Sequence, residues 1–315
     1  MSSIYIFSPS GAVRNRKAFQ RGISALKDLG HDVQIDPSAL SAYERFAGDD
    51  ATRLLAIERA CESGCDVAMI SRGGYGLTRL LPRLNYSKIK KSILAGTKFL
   101  GFSDFTAFQM AVLSRTQQIT WSGPSVMDDL GVDQPDDIML ACLDDLLASQ
   151  IEGAGWSMKK TALNGFLDHC TPSQAKASVL AKEAVLWGGN LSVLCALMGT
   201  PYFPSIKGGV LFLEDTAEHP YRIERMLSQL LMSGVLKDQK AVVLGQFNRY
   251  ALNAHDKGFN FNKVVSFLRS HLKVPILTDL PFGHVPVKIC IPFGQKVTLT
   301  RELNEFFLLW PHVHG

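Results

Sequence analysis

In the first half of the chain, short apolar runs alternate with amphipathic stretches, and that rhythm leaves few folds open. IYIF at 4–7 runs into SPSG, CDVAMI at 65–70 into SRGGYG, KFL at 98–100 into GFSD, and QITW at 118–121 into SGPS. Between them lie segments of helical spacing. NRKAFQRGISALKDLG stops at Gly30, and DDATRLLAIERACESG begins with acidic residues that favour the start of a helix. Strand, helix, strand in this order predicts a parallel sheet with helices on both faces. Ligands of such sheets gather beyond the carboxyl ends of the strands. The four small-residue turns should therefore share one edge.

The chain of 315 residues is long enough for about two domains. The reading places a first α/β domain at 1–150 and a polar, irregular connection at 151–180. A β-rich α/β domain follows at 181–315, with strands expected in GGVLFLED, KAVVLGQF, QKVTLT and EFFLLWP. Basic residues are dispersed and the formal charge is only +4, so no nucleic-acid footprint is indicated. KIKK at 88–91 reads as a solvated helix end. No apolar run approaches a membrane span, and the N-terminus has no basic leader pattern. Six cysteines stand at no scaffold or zinc spacing, and most of them read as small buried hydrophobes, which suits a reducing compartment. A cytoplasmic protein without metal or cofactor is expected.

Ser103, in GFSDFT, stands between a strand end and a helix start. Serine is a preferred helix cap, yet a hydroxyl at such a turn can also act as a nucleophile, with the next amide facing a developing oxyanion. The hydrolase elbow G-x-S-x-G is not matched, since Phe105 replaces its second glycine. RGGYG at 72–76 lacks the phosphate-loop ending and reads as a turn or as an anion loop of backbone amides. Glu214 and Asp215 close a strand as caps, solvated groups or an orienting acid, and His284 follows a glycine in PFGHVP. His312 and His314 fall in the terminal tail. Ser103, Glu214 and His284 have the residue types of a nucleophile, an acid and a base, but order along a chain does not bring them together.

At these motifs the chain resembles the LD-carboxypeptidases that act on murein tetrapeptide. The resemblance rests on SPSG, RGGYGLTRLL, GFSDFTAFQ, SGP, LWGGNLSVL, GTPYFP, LEDTAEHPYRIERML and FGH, and spans nearly the whole chain. It implies a flavodoxin-like N-terminal domain, a β-rich α/β C-terminal domain and an active site in the cleft between them. It also implies a catalytic triad of Ser103, Glu214 and His284, and an oxyanion hole from the amides of Asp104 and Gly74, with Gly73 as the alternative. Arg72, Asn190 and Arg222 become candidate substrate contacts, although Arg222 and Arg225 also suit a helix surface. The family implies homodimers, no cofactor, and a murein tetrapeptide or muropeptide substrate. Its microcin-immunity branch, which cleaves peptidyl-nucleotide conjugates, would need an aromatic platform, for which Trp156 and Trp187 are the candidates. A non-catalytic peptide-binding protein is the remaining alternative.

Overall fold

Asn15 shows how the helices of the first half are delimited. Its side chain accepts from Ala18 N (3.0 Å) to begin helix α1 (Arg16–Asp28), and Gly30 follows its end at φ +87°. Phe19, Ile23 and Leu26 recur along the face of α1 that is buried. Asp49 caps α2 (Asp50–Glu62) in the same way, and Asn85 caps α3 (Tyr86–Leu94). The computed structural model describes residues 1–311, so His312 and His314 lie outside the described residues.

The strands between these helices pair in parallel. They are β1 (Ser3–Phe7), β2 (Asp32–Ile35), β3 (Val67–Ile70), β4 (Lys98–Gly101) and β5 (Thr120–Ser122). Their order in the sheet is β2-β1-β3-β4-β5, the flavodoxin-like arrangement. The four turns read from the sequence therefore do meet along one edge, and Gly11 N donates to Gly73 O (3.3 Å) across two of them. Helix α4 (Phe105–Thr116) has no polar face: every residue from Phe105 to Leu113 is buried. A helix buried all round lies between two layers.

The second layer is a seven-stranded sheet. It contains β6 (Gly153–Ser157), β7 (Val179–Asn190), β8 (Val210–Thr216), β9 (Ala241–Asn248) and β10 (Ile276–Leu277), with β12 (Lys296–Glu302) and β13 (Glu305–Leu309). β7 to β10 run parallel, whereas β12, β13 and β6 continue the sheet beyond β7 in that order, each antiparallel to the strand before it. Its helices are α8 (Leu191–Ala196), α9 (Pro220–Met232) and α10 (Phe261–His271), and α4 packs against both β7 and α8. A remaining first-half helix, α5 (Asp137–Leu147), precedes β6.

Two segments differ from the sequence reading. Residues 151–180 are not an irregular connection, because they hold β6, α6 (Lys160–Leu167) and α7 (Pro172–Lys176). β6 gives no strand signal of its own. Phe307 and Leu309 of β13 pack over its two glycines, where a built Cβ would stand 2.9 Å from either side chain. The other segment is β11 (Ile291–Phe293), which leaves the second half of the chain and pairs antiparallel with β5 at the edge of the first sheet. Pro292 is tolerated there because the strand has a neighbour on one side only.

Asp36, after β2, ties the first sheet to α2. Its buried carboxylate accepts from Tyr5 Oη (2.7 Å), Ser38 N (2.8 Å) and Arg59 Nε (2.8 Å). Burial pushes this carboxyl up, but the Arg59, Ser38 and Tyr5 hydrogen bonds outweigh it and hold the group below its usual value. A depressed folded value stabilises the fold above the unfolded carboxylate range, near pH 4, and that contribution is lost as the pH falls through the lower folded value. Asp36→Asn should accordingly be less stable than the parent at pH 7, with the gap closing toward pH 2. Urea unfolding at both pH values checks this, and a gap independent of pH would refute it.

Candidate active site

Ser103 lies two residues past the end of β4 and adopts φ +63°, a left-handed conformation that costs a non-glycine residue about 1–2 kcal/mol. The sequence reading lets Ser103 cap α4, and here the structure differs. The cap position falls on Asp104, whose side chain makes no capping bond, and the Ser103 carbonyl accepts from Thr106 N (2.9 Å). The hydroxyl is left for the cleft, where Oγ lies 3.1 Å from His284 Nε2. Gly73 makes this close turn possible, since a Cβ built there would stand 2.8 Å from Ser103 Oγ. Behind the serine, the buried Asp104 carboxyl accepts from Leu77 N (2.9 Å) and pairs with the Ser10 hydroxyl. One side chain thus joins the ends of β1, β3 and β4. Burial pushes this carboxyl up, against the hydrogen bonds from Ser10 and Leu77.

His284 sits on an irregular loop, not at a strand end. Asn248 Nδ2 holds its carbonyl (2.7 Å), and the Phe102 ring lies 5.0 Å from the imidazole. Its Nδ1 is 2.8 Å from Glu214 Oε2 at the end of β8. With the proton on Nδ1, the ring donates to Glu214 and Nε2 can accept from the serine hydroxyl. Glu214 is fully buried, so neither a solvated nor a capping role applies. Asn190 Nδ2 donates to Glu214 Oε1 and to Asp215 Oδ1, each at 3.1 Å. Burial, with a smaller contribution from neighbouring Glu214, pushes the Asp215 carboxyl up; its bonds to Ser192 oppose this. The structure therefore brings Ser103, His284 and Glu214 into one hydrogen-bonded chain across the two sheets.

A cavity of about 540 Å³ opens over this chain, lined by Gly73, Gly74, Ser103 and His284 together with Arg14, Arg72, Asp128, Thr216 and Arg249. Arg72 is on its wall as expected, although its Nε is 3.5 Å from Asp128 and its Nη1 donates to Ala12 O (3.4 Å). Burial, and then the charge of Arg14, push its guanidinium below the usual range, while Asp128 opposes them. Two other expected contacts are corrected. Asn190 lies behind the site, its amide engaged by the two carboxylates while its Oδ1 caps α8. Arg222 is exposed on α9 beside Glu218 (3.6 Å) and the Tyr221 hydroxyl (3.4 Å), away from the cavity. Among the described residues no cluster of three or more His, Cys, Asp or Glu side chains is placed to hold a metal, and no helix is long and apolar enough to cross a membrane.

Comparison with known proteins gives this geometry a family. The LD-carboxypeptidase N-terminal domain matches residues 4–123, and the LD-carboxypeptidase C-terminal domain matches residues 183–299. The chain belongs to the LD-carboxypeptidase family. It is similar over 99% of its length to all of a muramoyltetrapeptide carboxypeptidase from Oxalobacter formigenes, at 36% identity and a TM-score of 0.85. It is 26% identical to a murein tetrapeptide carboxypeptidase of Pseudomonas aeruginosa, over 94% of this chain and 92% of that protein. The microcin C7 self immunity protein MccF shares the fold, with a TM-score of 0.83 at 19% identity, covering 99% of this chain and 97% of the other.

Within this LD-carboxypeptidase fold, neither candidate tryptophan is a cleft platform. Trp187 is core, edge-on to Phe203, and donates to Gln239 Oε1 (3.0 Å). Trp156 stacks on Phe306 and donates to Thr278 O (3.0 Å). The sequence reading passes over Arg14, Arg249 and Lys288. Arg249 follows a strand that ends on the same side as Glu214, so the strand-end rule reaches it. Lys288 is a lone charge in the apolar run VPVKICIPF, a signature of a buried ion.

Proposed function

We propose that this carboxypeptidase is a serine enzyme that cleaves the L-D amide bond of murein tetrapeptide, L-Ala-D-Glu-diaminopimelate-D-Ala, and releases its terminal D-alanine in peptidoglycan recycling. The observation that carries the reading is the unbroken hydrogen-bonded chain Glu214–His284–Ser103, whose serine and histidine line the cavity.

His284 Nε2 takes the Ser103 proton as Oγ attacks the carbonyl of the third residue. Glu214 keeps the imidazole in the required tautomer and stabilises its charged form. Amides of Asp104 and of the glycine loop, Gly74 or Gly73, receive the oxyanion. His284 then returns the proton to the departing amine, D-alanine leaves, and water attacks the acyl-serine by the same route in reverse. Six unpaired thiols support a cytoplasmic setting. The core positions of Trp156 and Trp187 speak against a nucleobase platform and so against the nucleotide-conjugate reading.

The test is incubation with the tetrapeptide and, separately, with a peptidyl-nucleotide conjugate, with products read by mass spectrometry. Tripeptide plus D-alanine from the first alone supports the proposal; cleavage of the second alone, or of neither, ends it. Gly73→Ala checks the fit of the loop. Gly73 does not need a left-handed backbone, so alanine meets mainly the serine, with its Cβ 2.7 Å from Ser103 Cβ. A folded variant with kcat lowered about 10²- to 10³-fold is expected, the scale of losing an oxyanion donor. An undiminished kcat would remove Gly73 from the site.

A further inference from the structure

We propose that Arg249 recognises the free carboxylate of the departing residue, and so makes the cleft select chain ends over internal amide bonds. This rests on the carboxypeptidase reading above and assigns a part of it. Three arginines line the cavity, and they are not equivalent. Arg72 is mostly buried and shared between Asp128 and the Ala12 carbonyl, and Gly11 and Gly74 pack against its guanidinium. Arg14 stands on the same N-terminal wall, near enough for its charge to act on Arg72. Arg249 stands on the opposite wall, in the turn after β9.

That turn is built around the histidine. Asn248, the residue before Arg249, donates to the His284 carbonyl (2.7 Å), accepts from the Thr216 hydroxyl (3.0 Å) and accepts from Ala217 N (2.8 Å). Arg249 itself is held at φ +57°, a conformation an arginine adopts only when its surroundings impose it. Its guanidinium is exposed and makes no hydrogen bond or ion pair with the described residues.

The direction of proton transfer decides which wall matters. His284 must deliver its proton to the departing amine, and in an amino acid the carboxylate hangs one carbon from that nitrogen. The anion therefore leaves on the histidine side, where Arg249 is the cation lining the cavity. Its planar fork suits bidentate pairing with a carboxylate, which a neutral amide at the same place cannot reproduce.

The experiment compares kcat/KM for the tetrapeptide ending in D-alanine and for the same peptide ending in D-alaninamide. Wild type is expected to prefer the free acid, and Arg249→Met to lose about 10- to 100-fold of that preference, the scale of hydrogen bonds to a charged group. Arg249→Lys should restore part of it by charge alone. Arg249→Asn, which tolerates the left-handed backbone, repeats the test if the methionine variant is unstable. Arg14→Met should keep the acid-over-amide ratio. A wild-type ratio in Arg249→Met, or its collapse in Arg14→Met instead, overturns the proposal. Absence of D-alanine release by wild type would instead fail the functional reading on which the proposal stands.

Discussion

Ser103→Ala is expected to release D-alanine about 10⁴-fold or more slowly than the parent enzyme, with the fold and substrate binding intact. The variant loses only Oγ, the atom 3.1 Å from His284 Nε2. Alanine keeps the same backbone requirement at φ +63°, so the strained turn persists and stability should hardly change. Ser103→Gly separates the two roles of the position. It should be equally inactive yet more stable by about 1 kcal/mol, because glycine carries no left-handed penalty. Single-turnover D-alanine release and urea unfolding measure the two effects. Alanine-variant activity within tenfold of wild type would eliminate Ser103 as the nucleophile.

Asp129→Ala is expected to cost about 3–5 kcal/mol of stability, the scale of breaking a buried ion pair by removing one partner. Lys288 is fully buried, with Nζ 2.5 Å from Asp129 Oδ1 and 3.4 Å from the centroid of the Phe102 ring. The other Asp129 oxygen accepts from Ser125 N (2.7 Å) and Oγ (3.0 Å). Without the carboxylate, the ammonium keeps only the ring face among the described residues. Lys288 lies on the segment that carries His284 toward β11, and Asp129 on the turn that follows β5. The pair therefore pins the loop of His284 to the half that bears Ser103. Lys288→Met, similar in volume and uncharged, should cost less. Equilibrium urea unfolding distinguishes the two, and a loss below about 1 kcal/mol for Asp129→Ala would show that the pair contributes little.

The glycine loop and the serine turn were legible in the sequence because their signals are local. Apolar runs mark β1, β3, β4 and β5, helical spacing marks α1 and α2, whose caps Asn15 and Asp49 stand at the head of those segments, and parallel strands must end on one side. The residue types of Ser103, Glu214 and His284, with their flanking motifs, likewise stand in the chain itself. That Ser103 does not cap α4 was not legible, since nothing local announces φ +63° at a serine. Nor was the displacement of Asn190 behind Glu214 or of Arg222 onto an exposed helix, because a shared motif does not say which of its side chains faces the cleft.

What only the tertiary structure decided has one physical cause. β6 is a strand because β13 covers its glycines, β11 joins a sheet formed far earlier in the chain, and Lys288 is neutralised by Asp129, 159 positions away. The contact between Ser103 and His284 spans 181 positions. A sequence by itself determines conformations that neighbours a few residues apart can stabilise. Pairings between such distant groups depend on how the two sheets close over α4, and that closure is a property of the whole packed core.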